Sequence, residues 1–180
     1  MKGCMAIDRQ KTETVHWHAV FTASRAEKKV RDRLEELGVE CFLPVQMVLR
    51  QWTYRKSRVV VPVIAGLVFV RVSRQEQVKV LQTKGVVAFL RLKGEAGAAV
   101  IPDKQMEDFR FLLDFSEEAV EMTNENIKAG DLVRVVKGSL RGMEGELIRH
   151  KGVTKVLVRI DMLGCAMVNI PASFVEKLNK

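Results

Sequence analysis

Three cysteines, Cys4, Cys41 and Cys165, stand far apart, with no C-x-x-C pair and no histidine cluster beside them. That spacing argues against both a disulfide framework and structural zinc. Cys41 lies between Glu40 and Phe42 in an extended apolar stretch and reads as a small core hydrophobe rather than a nucleophile. Long hydrophobic runs are also missing: the longest, Val59 to Val70, has 12 residues and contains Pro62 and Gly66, too short and too interrupted to span a bilayer. Near the N-terminus, Asp8, Arg9, Gln10 and Lys11 leave no room for an apolar signal core, so the expected compartment is the cytoplasm. Only three histidines are present, His16, His18 and His150, and no G-x-S-x-G, H-E-x-x-H, Walker A or G-x-G-x-x-G run occurs. Convergent catalytic groups are therefore not found, and the expectation is a protein that is not an enzyme.

What the chain does have is apolar material and positive charge. Of its 180 residues, 47% are hydrophobic, enough for a medium domain or two small ones. Lys and Arg outnumber Asp and Glu by 30 to 22, a formal +8 that favours an anionic partner. Residues 41 to 75 carry Arg50, Arg55, Lys56, Arg58, Arg71 and Arg74 with no carboxylate at all.

Periodicity orders the elements. Residues 1 to 14 are polar and read as a flexible N-terminus, followed by a strand over 16 to 21. Ser24-Arg25-Ala26-Glu27 has the S-x-x-E spelling of a helix capping box, and Ala26, Val30, Leu34 and Leu37 continue one helical face up to Gly38, a left-handed C-cap. Extended segments at 39 to 44 and 45 to 49 lead to a polar tip, Gln51 to Ser57, and back along Val59-Val60-Val61 as a long hairpin. A strand at 66 to 72, a short helix at 75 to 82 and a strand at 86 to 92 complete the order β-α-β-hairpin-β-α-β. Pro102 opens a helix with Met106, Phe109, Leu112 and Leu113 on one face. Residues 116 to 126, rich in glutamate, read as an acidic solvated linker. Beyond it, short strands at 131 to 136, 145 to 149, 153 to 160 and 165 to 170, and a segment at 173 to 178, suggest a small barrel.

Within that last part, Gly130-Asp131-Leu132-Val133-Arg134-Val135 runs through Gly138-Ser139-Leu140-Arg141-Gly142-Met143-Glu144 to Gly145, where the chain is expected to bend. This resembles the KOW motif of an SH3-like barrel. Upstream, Trp17-His18-Ala19-Val20, Phe42-Leu43-Pro44, the basic hairpin and Pro62-Val63-Ile64-Ala65-Gly66-Leu67-Val68-Phe69-Val70 resemble the N-terminal domain of NusG-family transcription factors in order and spacing. The chain departs from the family where Phe-Pro-Gly-Tyr is usual, with Ile64-Ala65-Gly66-Leu67, and where an aromatic follows the first barrel strand, with Leu140. In this it looks like the specialised RfaH or UpxY type of antiterminator.

The resemblance implies an α+β protein: a ferredoxin-like N-terminal (NGN) domain over 15 to 115 and a KOW SH3-like barrel over 127 to 180. It implies a cytoplasmic bacterial elongation or antitermination factor, monomeric and with no membrane association, that binds the RNA polymerase β′ clamp helices and bridges toward the β subunit. On this resemblance His18, Ile64, Ala65 and Leu67 match the clamp-docking surface, with core packing the alternative for each. Glu76 and Lys79 fall in the region that meets the β-subunit gate loop. Arg25, Lys29 and Arg33, on a ridge beside the apolar stripe of the first helix, are the candidates for non-template DNA. Trp52, Arg55, Lys56 and Arg58 at the hairpin tip are candidates for upstream DNA phosphates and stacking. Leu140 and Met143 lie where relatives bind ribosomal protein S10 or Rho, although apolar residues there equally suit a plug for the barrel end. The rival expectation is a KOW-type RNA-binding protein of the ribosome.

Overall fold

A computed structural model describes residues 14–51, 56–123, 130–150, 152–160 and 163–178. Strand β1 (His16–Thr22) leads into helix α1 (Glu27–Glu36), then β2 (Glu40–Phe42), the ribbon β3 (Val45–Gln51) and β4 (Lys56–Pro62), and β5 (Leu67–Val72). Helix α2 (Glu76–Gln82), β6 (Val86–Phe89) and α3 (Asp103–Phe115) follow. The rest is extended: β7 (Glu121–Thr123), β8 (Asp131–Val135), β9 (Glu144–His150), β10 (Val153–Ile160), β11 (Gly164–Asn169) and β12 (Val175–Lys177).

The first sheet is four-stranded and antiparallel in the order β2-β5-β1-β6, the split β-α-β arrangement expected from the sequence, with β3 and β4 set apart as a two-stranded ribbon. Its two faces follow from the period of 2 along β1. Val20 faces Val30, Leu34, Val80 and Phe89 on the α1 and α2 side. Trp17 and Ala19 face Met106, Phe109 and Leu112 of α3 on the other. Phe42, Phe69 and Phe109 meet at centroid distances of 6.0 to 6.3 Å, and the Arg110 guanidinium lies 4.5 Å above Trp17 and 4.7 Å above Phe42, a cation–π bracket on this edge of the core.

The C-terminus of α1 forms as the sequence indicates. Gly38, at φ +74°, donates to Glu35 O and Val39 donates to Leu34 O, a Schellman closure whose apolar contact is the buried pair Leu34 and Val39. Its N-terminus does not. Residue Arg25 is left-handed (φ 58°), Ala26 is the N-cap, and no side chain caps the helix. Glu27 instead accepts a hydrogen bond from Gly66 N at 2.7 Å. The S-x-x-E box closes one motif later: Ser73 N donates to Glu76 Oε2 (2.9 Å) and Glu76 N to Ser73 Oγ (3.4 Å) ahead of α2.

The second sheet has six strands in the order β12-β8-β9-β10-β11-β7. Within the stretch expected to be a solvated linker, Val120 is buried and Glu121–Thr123 pair with β11, while Val120 N donates to Gln46 Oε1 at the ribbon base (2.9 Å). Burial of an apolar side chain and strand pairing outweigh the local acidity. Helix α3 also packs on β10, and one apolar cluster runs from Trp17, Phe69 and Phe109 to Val133, Val156 and Val168. Along β10 both faces are covered: Val156 and Val158 belong to that cluster, and Leu157 is buried with Ile148, Cys165 and Met167 on the opposite face. Gly145 sits within β9 rather than at a bend; a Cβ there would come within 2.7 Å of Val156 Cγ1, so close strand approach is what requires glycine.

Truncation of Phe69 to alanine should lower the unfolding free energy by about 3–5 kcal/mol. Urea unfolding read by tryptophan fluorescence and by far-UV circular dichroism should give one coincident transition that moves as a whole in the variant. Two separated transitions would show that the halves do not share stability.

Candidate nucleic-acid and protein interface

The cations of α1 are sorted by their partners. Arg31 takes Asp32 (2.6 Å) and lies 3.9 Å from Glu35, so these two acids serve Arg31 rather than the ridge beside it. Lys29 and Arg25 are exposed and have no ion-pair partner among the described residues. Arg25 precedes the helix rather than occupying its first turn. Arg33 donates to Lys84 O at 2.6 Å, which ties the turn before β6 to α1. There Ala23 N donates to Gly85 O (2.8 Å), and a Cβ on Gly85, whose φ is +100°, would lie 2.9 Å from Val30 Cγ2. The Lys84 backbone is thereby brought against Arg33 of α1. Sequence spacing does not reveal it, because the neighbourhood is tertiary; the glycine after it was the available signal.

In the ribbon, Trp52 and Arg55 lie outside the described residues. Lys56 and Arg58 are exposed and pair across to Gln51 and Leu49. They share a face with Met47, Leu49 and Val60, of which Leu49 is 70% and Met47 60% exposed. The ribbon therefore projects an apolar strip that ends in cations.

The expected clamp-docking set is divided by burial. Ala65 is exposed and Ile64 half-buried, both on the β4–β5 connection that Glu27 holds through Gly66. Leu67 is 2% exposed and packs in the core with Phe69, because β5 is covered on both faces. His18 is 3% exposed: its Nδ1–H donates to Ala99 O (2.7 Å), its Nε2 accepts from the Gln77 amide (3.3 Å), and its ring meets Phe89 edge-on. Neither can present a docking surface in this packing. Glu76, expected near the gate-loop contact, is engaged in its cap, and the backbone N–H and hydroxyl of Ser73 hold its carboxyl below the usual range. Lys79 is exposed.

In the second sheet Leu140 (5%) and Met143 (3%) are buried in the large cluster and act as the plug, not as an exposed partner loop. Charge pairs brace this sheet: Arg159 binds both carboxylate oxygens of Glu146 (2.6 and 2.9 Å), and the buried Lys155 reaches Glu121 at 2.6 Å. Burial pushes the Cys41 thiol up to about 11, which fits a packing residue rather than a nucleophile. Among the described residues no group of histidine, cysteine and carboxylate side chains is placed to hold a metal ion.

Cations thus lie on the α1 ridge and on the ribbon. The model of the family described as "Transcription termination factor nusG" matches residues 15–110, and the chain belongs to that family. Its members are transcription factors without enzymatic activity. No curated protein matches the chain. Among solved structures, NusG of Thermotoga maritima, studied for its domain interaction, is 22% identical over 92% of this chain and 98% of its own, with a TM-score of 0.47. Two conformations of the MjSpt4:Spt5 complex are 18% identical over 91% of this chain: B over 97% of its own length at TM-score 0.29, and A over 99% at 0.27. No helix among the described residues is long and apolar enough to cross a membrane.

Burial lowers the pKa of His18 below its ordinary 6.5, against the hydrogen bond to Ala99, with His16 adding to the lowering. The folded chain therefore holds the neutral ring, and the unfolded chain binds the proton more tightly. Stability should rise with pH through the window just below 6.5 and fall as pH drops through it. Thermal melts between pH 7.5 and 5 should show that loss in the wild type and a flatter profile in His18→Phe.

Proposed function

We propose that this protein is a transcription elongation and antitermination factor that docks on the β′ clamp helices of RNA polymerase and suppresses pausing and termination at particular operons. The observation that carries the reading is the pair of exposed cations Arg25 and Lys29, which have no ion-pair partner among the described residues, together with Arg33 one turn on from Lys29, while Asp32 and Glu35 pair with Arg31. Non-template DNA is its proposed ligand, with Lys56 and Arg58 of the ribbon reaching upstream duplex phosphates. Ile64 and Ala65 supply the apolar contact to the clamp helices, with the β subunit on the side of Lys79. A factor that binds the closed, elongating polymerase more tightly than the paused one shifts the population by that difference in affinity, with no bond made or broken. The second sheet is read as a KOW SH3-like barrel whose partner is ribosomal protein S10 or Rho, engaged through residues other than the buried Leu140 and Met143.

Purified RNA polymerase should retain the full chain on an affinity column, and Ala65→Glu, at an exposed position, should reduce retention at least tenfold without lowering the thermal midpoint. Wild-type chain that ignores polymerase but binds ribosomal RNA would replace this reading with the ribosomal one. Arg25→Ala with Lys29→Ala should weaken binding to a single-stranded non-template oligonucleotide. If both cations meet phosphates, the slope of log K against log salt should become shallower by about 1.4, at about 0.7 per phosphate contact on single strands.

A further inference from the structure

On the sheet edge where β1 begins, away from the α1 ridge, a cleft of about 460 Å³ opens between α2, the end of β6 and the segment that follows it. Its outer wall is pinned by backbone hydrogen bonds: Leu90 N to Ala19 O, Ala99 N to Leu90 O and Ile101 N to Trp17 O, each 2.8 Å. Val72 and Phe89 are among its buried apolar lining residues, and Arg74 and Arg91 line it as exposed cations with no ion pair among the described residues. Among the described residues no carboxylate lines the cleft. Because a carbonyl can only accept, His18 must donate from Nδ1 to Ala99, which leaves Nε2 to accept from Gln77. That bond fixes the Gln77 amide, whose oxygen remains an acceptor in the same cleft.

We infer that this cleft binds a nucleotide, with its phosphate held by Arg74 and Arg91 and its base on the apolar floor, an exocyclic amine donating to the Gln77 oxygen. A phosphate alone would need no apolar floor, and an apolar ligand would need no pair of arginines; the combination of both with one oriented amide fits a base carried on a phosphate. The nucleotide is either free or one unit of a single strand, and the inference does not depend on polymerase binding.

The test is amide NMR of the full chain titrated with AMP, with pyrophosphate, and with a ten-nucleotide deoxyadenosine strand. The strand arm uses Arg25→Ala/Lys29→Ala so that the α1 ridge does not contribute. AMP or the strand should move the amides of Gln77, Gly97 and Ala98, and Arg74→Ala/Arg91→Ala should weaken that binding at least tenfold. Gln77→Leu should weaken AMP several-fold and leave pyrophosphate unchanged. Saturation by AMP assigns a free nucleotide, and saturation by the strand alone assigns a nucleic acid. Equal affinity for AMP and pyrophosphate, no shift with any probe, or tighter binding of a hexaglutamate peptide would overturn the inference.

Discussion

Helix α3 is the element on which the rest of the molecule depends. Its buried residues Met106, Phe109 and Leu112 complete the core of the first sheet, and the helix also packs on β10 of the second. An antiparallel sheet commonly keeps one face in water, with polar residues there. Here Leu157 and Met167 lie on the face opposite Val156 and Val168, and all four are buried. Apolar side chains on both sides of β10 and β11 are thus withdrawn from solvent, and the two halves share one continuous cluster. The 116–123 stretch follows from this. A chain leaving α3 between two packed layers has apolar surface to cover, so Val120 is buried and the next three residues join β11 despite the surrounding glutamates.

The same packing decides which surfaces remain available. With α3 and the second sheet on one side of the first sheet, α1 and α2 form the side that carries the cations. Arg33 does two things there: its hydrogen bond to Lys84 O braces the turn before β6, and its charge lies one turn on from that of Lys29. Glu27 has a comparable structural role on the opposite connection. By accepting from Gly66 N, while Thr22 N donates to Gly66 O, it fixes the conformation of the segment that offers Ile64 and Ala65.

Much of this was legible from the sequence, and the failures have specific causes. The order of elements, the α1 stripe and the Gly38 closure are local and periodic, so they could be read directly. The S-x-x-E spelling occurs at Ser24–Glu27 and again at Ser73–Glu76, and local chemistry cannot choose between them. Gly66 N recruits Glu27 from 39 residues away, while Glu76 finds no such distant claim and closes its own box. Leu67 was ambiguous because β5 is apolar at nearly every position. Such a run signals burial on both faces but does not say which residue, if any, is left at an edge. For His18, docking surface and core packing could not be separated for a related reason: the partners that satisfy its polar atoms in the core, Ala99 and Gln77, lie 81 and 59 residues away. Lys84 was overlooked because only the folded turn places it near α1.

Burial of His18 and exposure of Ala65 together constrain how a partner can engage this fold. Val63 and Ile64 pack against the same cluster that joins α3 to the second sheet. A ligand that draws Ile64 toward itself therefore acts on a core common to both halves, whereas one bound at Arg25 and Lys29 touches side chains that project from α1 and its approach and leaves that core unchanged. On the proposed reading the cationic surface supplies affinity without reorganisation, and the apolar edge is where binding and the packing of the second sheet become energetically linked. For the docking proposed at Ile64 such linkage is reciprocal: whatever strengthens the contact of α3 with β10 at the expense of Ile64's freedom weakens it by the same factor. The substitutions that separate the two effects are those at Val156, which lies on β10 in the cluster shared with α3, and at Ala65, which is exposed.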